Sequence, residues 1–265
     1  MLPTVDFCGI EMTRLIIGAN PFGGFSHQNP SRDLAMKSFH TPEQILITWE
    51  RAWKAGINTF VTNTETRHVV ETTKKYISEG GPMNWIGQLG KGAFPNMEST
   101  IDFAVQTGCK ALFIHGGMMD RLYKENDERT VNAWVEHAKA QGIPVGIAGH
   151  SPKTHLWVDK MDLVDFHVIP LFNCGSLHDA GGGEHFWLED LQRSIEVIQS
   201  ISKPCIAYKV LAAGRIDATM GLGFAYRNIK PGDVVNLGMN RGDNDNIVEE
   251  DVQIVSDLLS GKINK

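Results

Sequence analysis

Ten histidines are spread unevenly along the chain. Six of them, His27, His68, His115, His150, His178 and His185, stand at or soon after short apolar runs that read as buried strands. An imidazole titrates near neutrality, so it can give and take protons at physiological pH, and it is the commonest transition-metal ligand. His68, His115 and His150 are the leading candidates. As ligands of a divalent transition metal they would leave positions open for substrate, with Glu65, Glu184 or His185 adding a carboxylate or fourth ligand. Without metal they would work as general acids and bases, or would only hydrogen-bond a substrate. No H-E-x-x-H or other tight ligand spacing is present, and ligands from separate strands leave no such signature.

Other polar residues follow the same runs: Asn63, Gln88, Lys91, Tyr208 and Lys209. A lysine such as Lys209 suits a Schiff base, or an ion pair with a neighbour such as Asp217. Trp85, Trp187 and Phe22 have rings that can stack on a sugar-like ring. Trp49, Trp53 and Trp134 read as helix faces packed on the strands.

The elements that must position these residues alternate along the chain. Eight apolar runs read as strands: Leu15–Ala19, Thr59–Thr62, Trp85–Leu89, Ala111–His115, Val145–Ala148, Phe166–Leu171, Cys205–Val210 and Val234–Gly238. Near-continuous apolar strands are buried on both faces, as in a parallel sheet. Amphipathic stretches lie between them, near 45–55, 65–78, 97–107, 127–141, 152–160, 186–200, 219–227 and 246–259. Thr41-Pro42-Glu43-Gln44 combines an N-cap, a first-turn proline and a capping box, and Ser151-Pro152 opens the fifth stretch alike. Gly56, Gly108 and Gly142 fall where helices should end. Eight strand–helix pairs in 265 residues predict a single (β/α)8 barrel, an α/β fold of roughly 250 residues, with residues 5–12 as a short hairpin plugging one end. The first β–α turn, Gly18 to Gly24, has no G-x-G-x-x-G fingerprint, and the next helix is expected only near residue 42. In such barrels the active site lies at the carboxyl ends of the strands. The loop Cys174–Glu184, with Gly181-Gly182-Gly183, reads as a mobile lid over that end or as a plain surface loop.

With 25 Lys+Arg against 31 Asp+Glu, the net charge is −6, which gives no general attraction to nucleic acid or to an anionic membrane. No apolar run approaches the ~18 residues of a membrane span. The start of the chain lacks a basic and apolar leader pattern, and Cys8, Cys109, Cys174 and Cys205 are scattered. A cytoplasmic protein with reduced thiols is expected. Nothing in the sequence specifies an oligomeric state.

The stretch Phe7 to Gly24 resembles the hairpin and first strand of the aldo-keto reductases. Gly56–Thr64 is similar to that family's second strand, Leu112–His115 to its fourth and Ile206–Gly214 to its seventh. The resemblance implies the barrel and one pocket lined by His68, His115 and His150. The family uses an Asp, a Tyr five residues later, a Lys ending the third strand and a His ending the fourth. Those positions read Asn63, His68, Gln88 (with Lys91 near) and His115 here. The family's tyrosine donates a proton to the carbonyl, so His68 could replace it. The nicotinamide-holding Ser-Asn falls near Ala148-Gly149 or Gly149-His150, while Tyr208 matches the stacking tyrosine. Where NADP-dependent members carry basic residues, this chain reads Asn240-Arg241-Gly242-Asp243-Asn244-Asp245-Asn246 and then Glu249-Glu250-Asp251, a poor cradle for a 2′-phosphate.

The resulting expectation is an aldo-keto-reductase-like barrel enzyme. It would act on a small polar substrate, such as a carbohydrate or keto-sugar, by histidine-based acid/base or metal-assisted lyase, hydrolase or isomerase chemistry. The alternatives are an oxidoreductase using NAD(P)H with His68 and His115, and a non-catalytic ligand-binding barrel.

Overall fold

The computed structural model describes residues 2–90, 94–172 and 188–263. A hairpin comes first, β1 (Thr4–Phe7) and β2 (Ile10–Thr13), closed by Cys8 and Gly9 in the left-handed region. Then follow β3 (Leu15–Gly18), α1 (Asn20–Gly23), α2 (Pro30–Phe39), α3 (Pro42–Ala55), β4 (Thr59–Asn63), α4 (Arg67–Ser78), β5 (Asn84–Leu89), α5 (Met97–Thr107) and β6 (Ala111–Ile114). The second half continues with α6 (Gly116–Glu125), α7 (Glu128–Lys139), β7 (Val145–Ala148), α8 (Pro152–Met161), β8 (Phe166–Pro170), α9 (Leu188–Ser200), β9 (Cys205–Tyr208), α10 (Ala218–Asn228), β10 (Val234–Gly238) and α11 (Ile247–Leu259). The eight parallel strands close in the order β10-β3-β4-β5-β6-β7-β8-β9, so the chain is a (β/α)8 barrel with a separate hairpin, as expected.

Side chains alternate across each strand with a period of two. Leu15 and Ile17 face the helices, whereas Ile16 faces the barrel interior with Val61, Ile86, Phe113, Ala148, Val168, Ile206 and Val234. Phe7 and Met12 of the hairpin join that interior cluster, and Phe7 meets Phe166 edge-on at 5.3 Å. The hairpin therefore stoppers the amino end of the barrel, opposite the carboxyl ends of the strands.

Caps explain most helix boundaries. The Thr41 hydroxyl accepts the Gln44 N–H (3.3 Å), and Ser151 accepts the Lys153 N–H (3.3 Å). Gly56 and Gly108 end α3 and α5 in left-handed geometry. Gly142 is also left-handed but lies beyond the cap of α7, which is Ala140.

Three helices were not expected, α1, α2 and α6. The segment before residue 42 is not a bare loop: it holds α1 and α2. Asn29 accepts the Arg32 N–H (2.9 Å) and Pro30 occupies the first turn, so the start signal is the same as at Thr41-Pro42. Only Met36 of α2 is buried, which is why no apolar periodicity betrays it. Helix α6 begins on Gly116-Gly117, residues of poor helix propensity, and is started instead by His115, whose ring accepts the Gly117 N–H (3.2 Å).

Candidate active site

The inward positions of the strands continue past the apolar interior, and the next step of each is polar. Asn63 lies two residues beyond Val61, Gln88 beyond Ile86, His115 beyond Phe113, His150 beyond Ala148, Tyr208 beyond Ile206 and Asn236 beyond Val234. All six line one cavity of about 450 Å³ at the carboxyl end of the barrel, a size suited to a small-molecule ligand. Glu65, Lys209 and His27 also line it.

One side of the mouth is built around a buried carboxylate. Asp120, on the second turn of α6, sits beneath the loop after β7. It accepts the His150 Nδ1–H (2.8 Å), the His150 backbone N–H (3.0 Å) and the Thr154 hydroxyl (2.7 Å). Burial pushes the Asp120 pKa up, but the hydrogen bonds from His150 and Thr154 outweigh it, and the net effect is a lowered value. The bond to Asp120 places the His150 proton on Nδ1 and makes Nε2 the basic nitrogen. Burial dominates the imidazole itself and depresses its pKa to about 4 against the pull of Asp120, with Lys209 adding to the depression. His150 is therefore neutral at pH 7.

His115 has the opposite tautomer. Its Nδ1 accepts the Gly117 N–H, so a neutral ring carries its proton on Nε2. Burial lowers its pKa, Asp120 opposes this and Lys209 adds to it. The two rings lie 6.3 Å apart between centroids. Gly116 permits this closeness, because a Cβ there would stand 2.8 Å from the His150 ring.

Asn63 and Glu65 occupy the β4 side. The Asn63 side-chain oxygen accepts the Glu65 N–H (3.0 Å) and the Thr66 N–H (2.7 Å), so it shapes the loop entering α4. Burial raises the Glu65 pKa. Its carboxyl rests on Gly90, where a Cβ would come within 2.3 Å of it.

The loop after β9 is strained. Lys209, Ala212 and Ala213 all adopt positive φ (53°, 50° and 57°), a region costly for residues with a Cβ. Cross-links hold it over the mouth: Gln28 Nε2 donates to the Ala213 carbonyl (2.6 Å), and Arg215 donates to the carbonyls of Ala212 (2.9 Å) and His27 (3.0 Å). The Lys209 ammonium lies 5.8 Å from the centre of the Tyr208 ring. Asp217, considered as its partner, accepts the Met220 N–H and caps α10.

The expected three-histidine cluster does not form. His68 is not among the residues lining the cavity; its Nε2–H donates to the Phe22 carbonyl (2.8 Å) and pins α4 to the first β–α turn. Among the described residues no group of three or more His, Cys, Asp or Glu side chains is arranged to hold a metal. Lys91, Glu184, His185, Trp187, Cys174, His178 and the proposed lid lie outside the described residues. Phe22 and Trp85 are core residues, 0% and 2% exposed, and neither lines the mouth, so the expected sugar stacking does not rest on them. The described cysteines, Cys8, Cys109 and Cys205, are free thiols.

Sequence reasoning missed Asp120 and Asn236. The two-residue step past Val234 would have found Asn236. Nothing local marks Asp120, whose role exists only because α6 folds under the loop after β7.

The loop after β10 also differs from its sequence reading. Three of the carboxylates there, Asp243, Asp245 and Glu249 at the start of α11, are paired with arginines from α2, α3 and the loop itself. Arg32 pairs with Asp243; Arg51 with Asp245 (2.9 Å) and Glu249 (2.7 Å); Arg241 with Asp245. Asn240 donates to Asp243 (2.7 Å).

No protein-family model matches the chain, and no curated protein matches it in sequence. Solved structures do match in fold. A proposed aldo-keto reductase from Pseudomonas aeruginosa superposes with a TM-score of 0.65 at 15% identity, over 96% of this chain and 94% of that one. Orotidine 5′-monophosphate decarboxylase from Methanocaldococcus jannaschii gives 0.61 at 14% identity, over 92% and 98%. Dihydropteroate synthase from Xanthomonas albilineans gives 0.56 at 10% identity, over 100% and 99%. The likeness to aldo-keto reductases is thus one of barrel architecture, shared with other enzyme types, and no helix among the described residues is long and apolar enough to cross a membrane.

Proposed function

We propose that the protein is a proton-transfer enzyme for a small polar carbonyl or hydroxy compound, a carbohydrate or keto-sugar, of the isomerase or lyase type. The observation that carries this reading is the pair of opposite histidine tautomers beside one cavity. His150, oriented by Asp120, offers Nε2 as the base. His115, fixed by the Gly117 N–H, offers Nε2–H as the donor that polarises a substrate oxygen. A neutral imidazole is the better matched donor to a carbonyl becoming an enolate, and burial keeps both rings neutral. Asn63 and Gln88 supply further polar contacts to the substrate.

The second reading is an oxidoreductase, favoured by Tyr208, which lines the cavity at the end of β9 where a nicotinamide ring could stack. Against a nucleotide 2′-phosphate, the loop after β10 presents the Asp243 carboxylate, already joined to Arg32.

The test is proton exchange in D2O with a panel of aldoses and ketoses, read by NMR at the carbon beside the carbonyl. Exchange is expected with the wild type and should fall by about 10²–10⁴ in His150→Gln and in His115→Gln. Absence of exchange together with micromolar binding of NADH or NADPH would overturn the reading in favour of hydride transfer. Tight ligand binding without exchange or nucleotide binding would leave a binding barrel.

A further inference from the structure

Another carboxyl lines the cavity on the α11 side, and its surroundings are unlike those of the paired acids near it. Asp251, on α11, lines the mouth and is only 2% exposed. Its Oδ1 is buried with no hydrogen-bond partner among the described residues. Asn236, an inward-facing residue in the middle of β10, likewise has a buried Oδ1 without a partner among the described residues. Gly18 makes room for that amide, since a Cβ there would stand 2.7 Å from it.

The neighbouring acids show what is missing. Asp243, Asp245 and Glu249 each have an arginine. Asp251, the most buried of the four, has none; the charged group acting on it is Glu250, and both burial and Glu250 work against its ionised form. A buried carboxyl oxygen and a buried amide oxygen without partners among the described residues are costly to keep. Two acceptors without donors, at the wall of a cavity open to ligands, are complementary to a group that brings several N–H donors and a positive charge.

We propose that Asp251 and Asn236 form a subsite for the amino group of a small ligand, an ammonium-bearing molecule such as an amino sugar, held at the α11 side of the mouth. The ammonium supplies donors to both oxygens and the charge that no arginine provides. The proposal goes beyond the acid–base reading and is tested without turnover.

The probes are D-glucosamine and D-glucose, which have the same ring and differ at one substituent. Binding to the full chain at pH 7 is followed by changes in backbone amide NMR signals. Glucosamine should bind about tenfold more tightly than glucose, the scale of one charge-assisted hydrogen bond, with the largest shifts at Asp251 and Asn236. Asp251→Asn, which keeps the shape and removes the charge, should abolish the preference. Equal binding of the two sugars, a preference that survives in Asp251→Asn, or glucosamine shifts confined to other parts of the mouth would each overturn the proposal. The wild-type shift map decides the matter by itself should the variant fold poorly.

Discussion

Asp120 and Asp251 are both buried carboxyls beside one cavity, 6% and 2% exposed, yet their chemistry diverges. Asp120 is surrounded by donors from one short stretch, His150, Ser151 and Thr154, and its pKa is lowered. Among the described residues Asp251 has no such donors, and burial raises its pKa to about 7. Burial alone therefore does not decide the state of an acid; the count of donors aimed at it does. The donors around Asp120 come with the chain's entry into α8: the His150 and Ser151 N–H groups just before the helix and the Thr154 hydroxyl on its first turn point at the same spot. Asp251 lies on the second turn of α11, past the exposed N–H groups, and receives nothing from its own helix.

Removing each carboxyl should separate the two sides most clearly. Asp120→Ala would strand the His150 Nδ1–H, two backbone N–H groups and the Thr154 hydroxyl in a dry setting. The expected loss is about 3–5 kcal/mol in urea unfolding at pH 7, together with loss of proton exchange. A loss below ~1 kcal/mol would mean that the cluster is wet and that the two sides are not different in kind.

The pH dependence of stability should differ in sign between the sides. The Asp120 pKa is lowered in the folded state, so its contribution is present above the unfolded value near 4 and is lost on further acidification. The Asp251 pKa is raised to about 7, so its ionisation costs nothing below pH ~4, grows from there to 7 and is fully felt above it. Asp251→Asn should therefore be roughly 2–4 kcal/mol more stable than the wild type at pH 8 and close to it at pH 4. A constant difference across that range would show that Asp251 ionises normally. His150, with its pKa depressed to about 4, should make the wild type lose stability as pH falls from 6.5 toward 4, because the unfolded chain takes up the proton first. That fall should be smaller in His150→Gln.

The same contrast explains what the sequence made legible. The barrel was readable because strands buried on both faces are written as contiguous apolar runs, and because Thr41, Ser151, Gly56 and Gly108 mark helix ends by local chemistry. His115 and His150 were readable as polar residues one inward step beyond Phe113 and Ala148. Asp120 was not, since an acid on a helix turn looks like any solvated acid until α6 folds against the loop after β7. The arginine pairs of the β10 loop were hidden for the same reason: Arg32 and Arg51 lie about 200 residues away in the chain. His68 was misplaced because counting five residues from Asn63 fixes a position on α4 but not a direction, and the Phe22 carbonyl claims the ring first.

His68 also provides the smallest effect to look for. Its Nε2–H bond to the Phe22 carbonyl is one hydrogen bond at the foot of α4, worth about 1 kcal/mol. His68→Gln keeps a donor of similar reach, so stability should change by less than ~1 kcal/mol and proton exchange should stay within a factor of about three of wild type. A fall as deep as that of His150→Gln would place the working acid on the β4 side of the mouth. It would then be the Asn63–His68 region, and not the Asp120–His150 pair, that stands opposite Asp251 in the chemistry of this barrel.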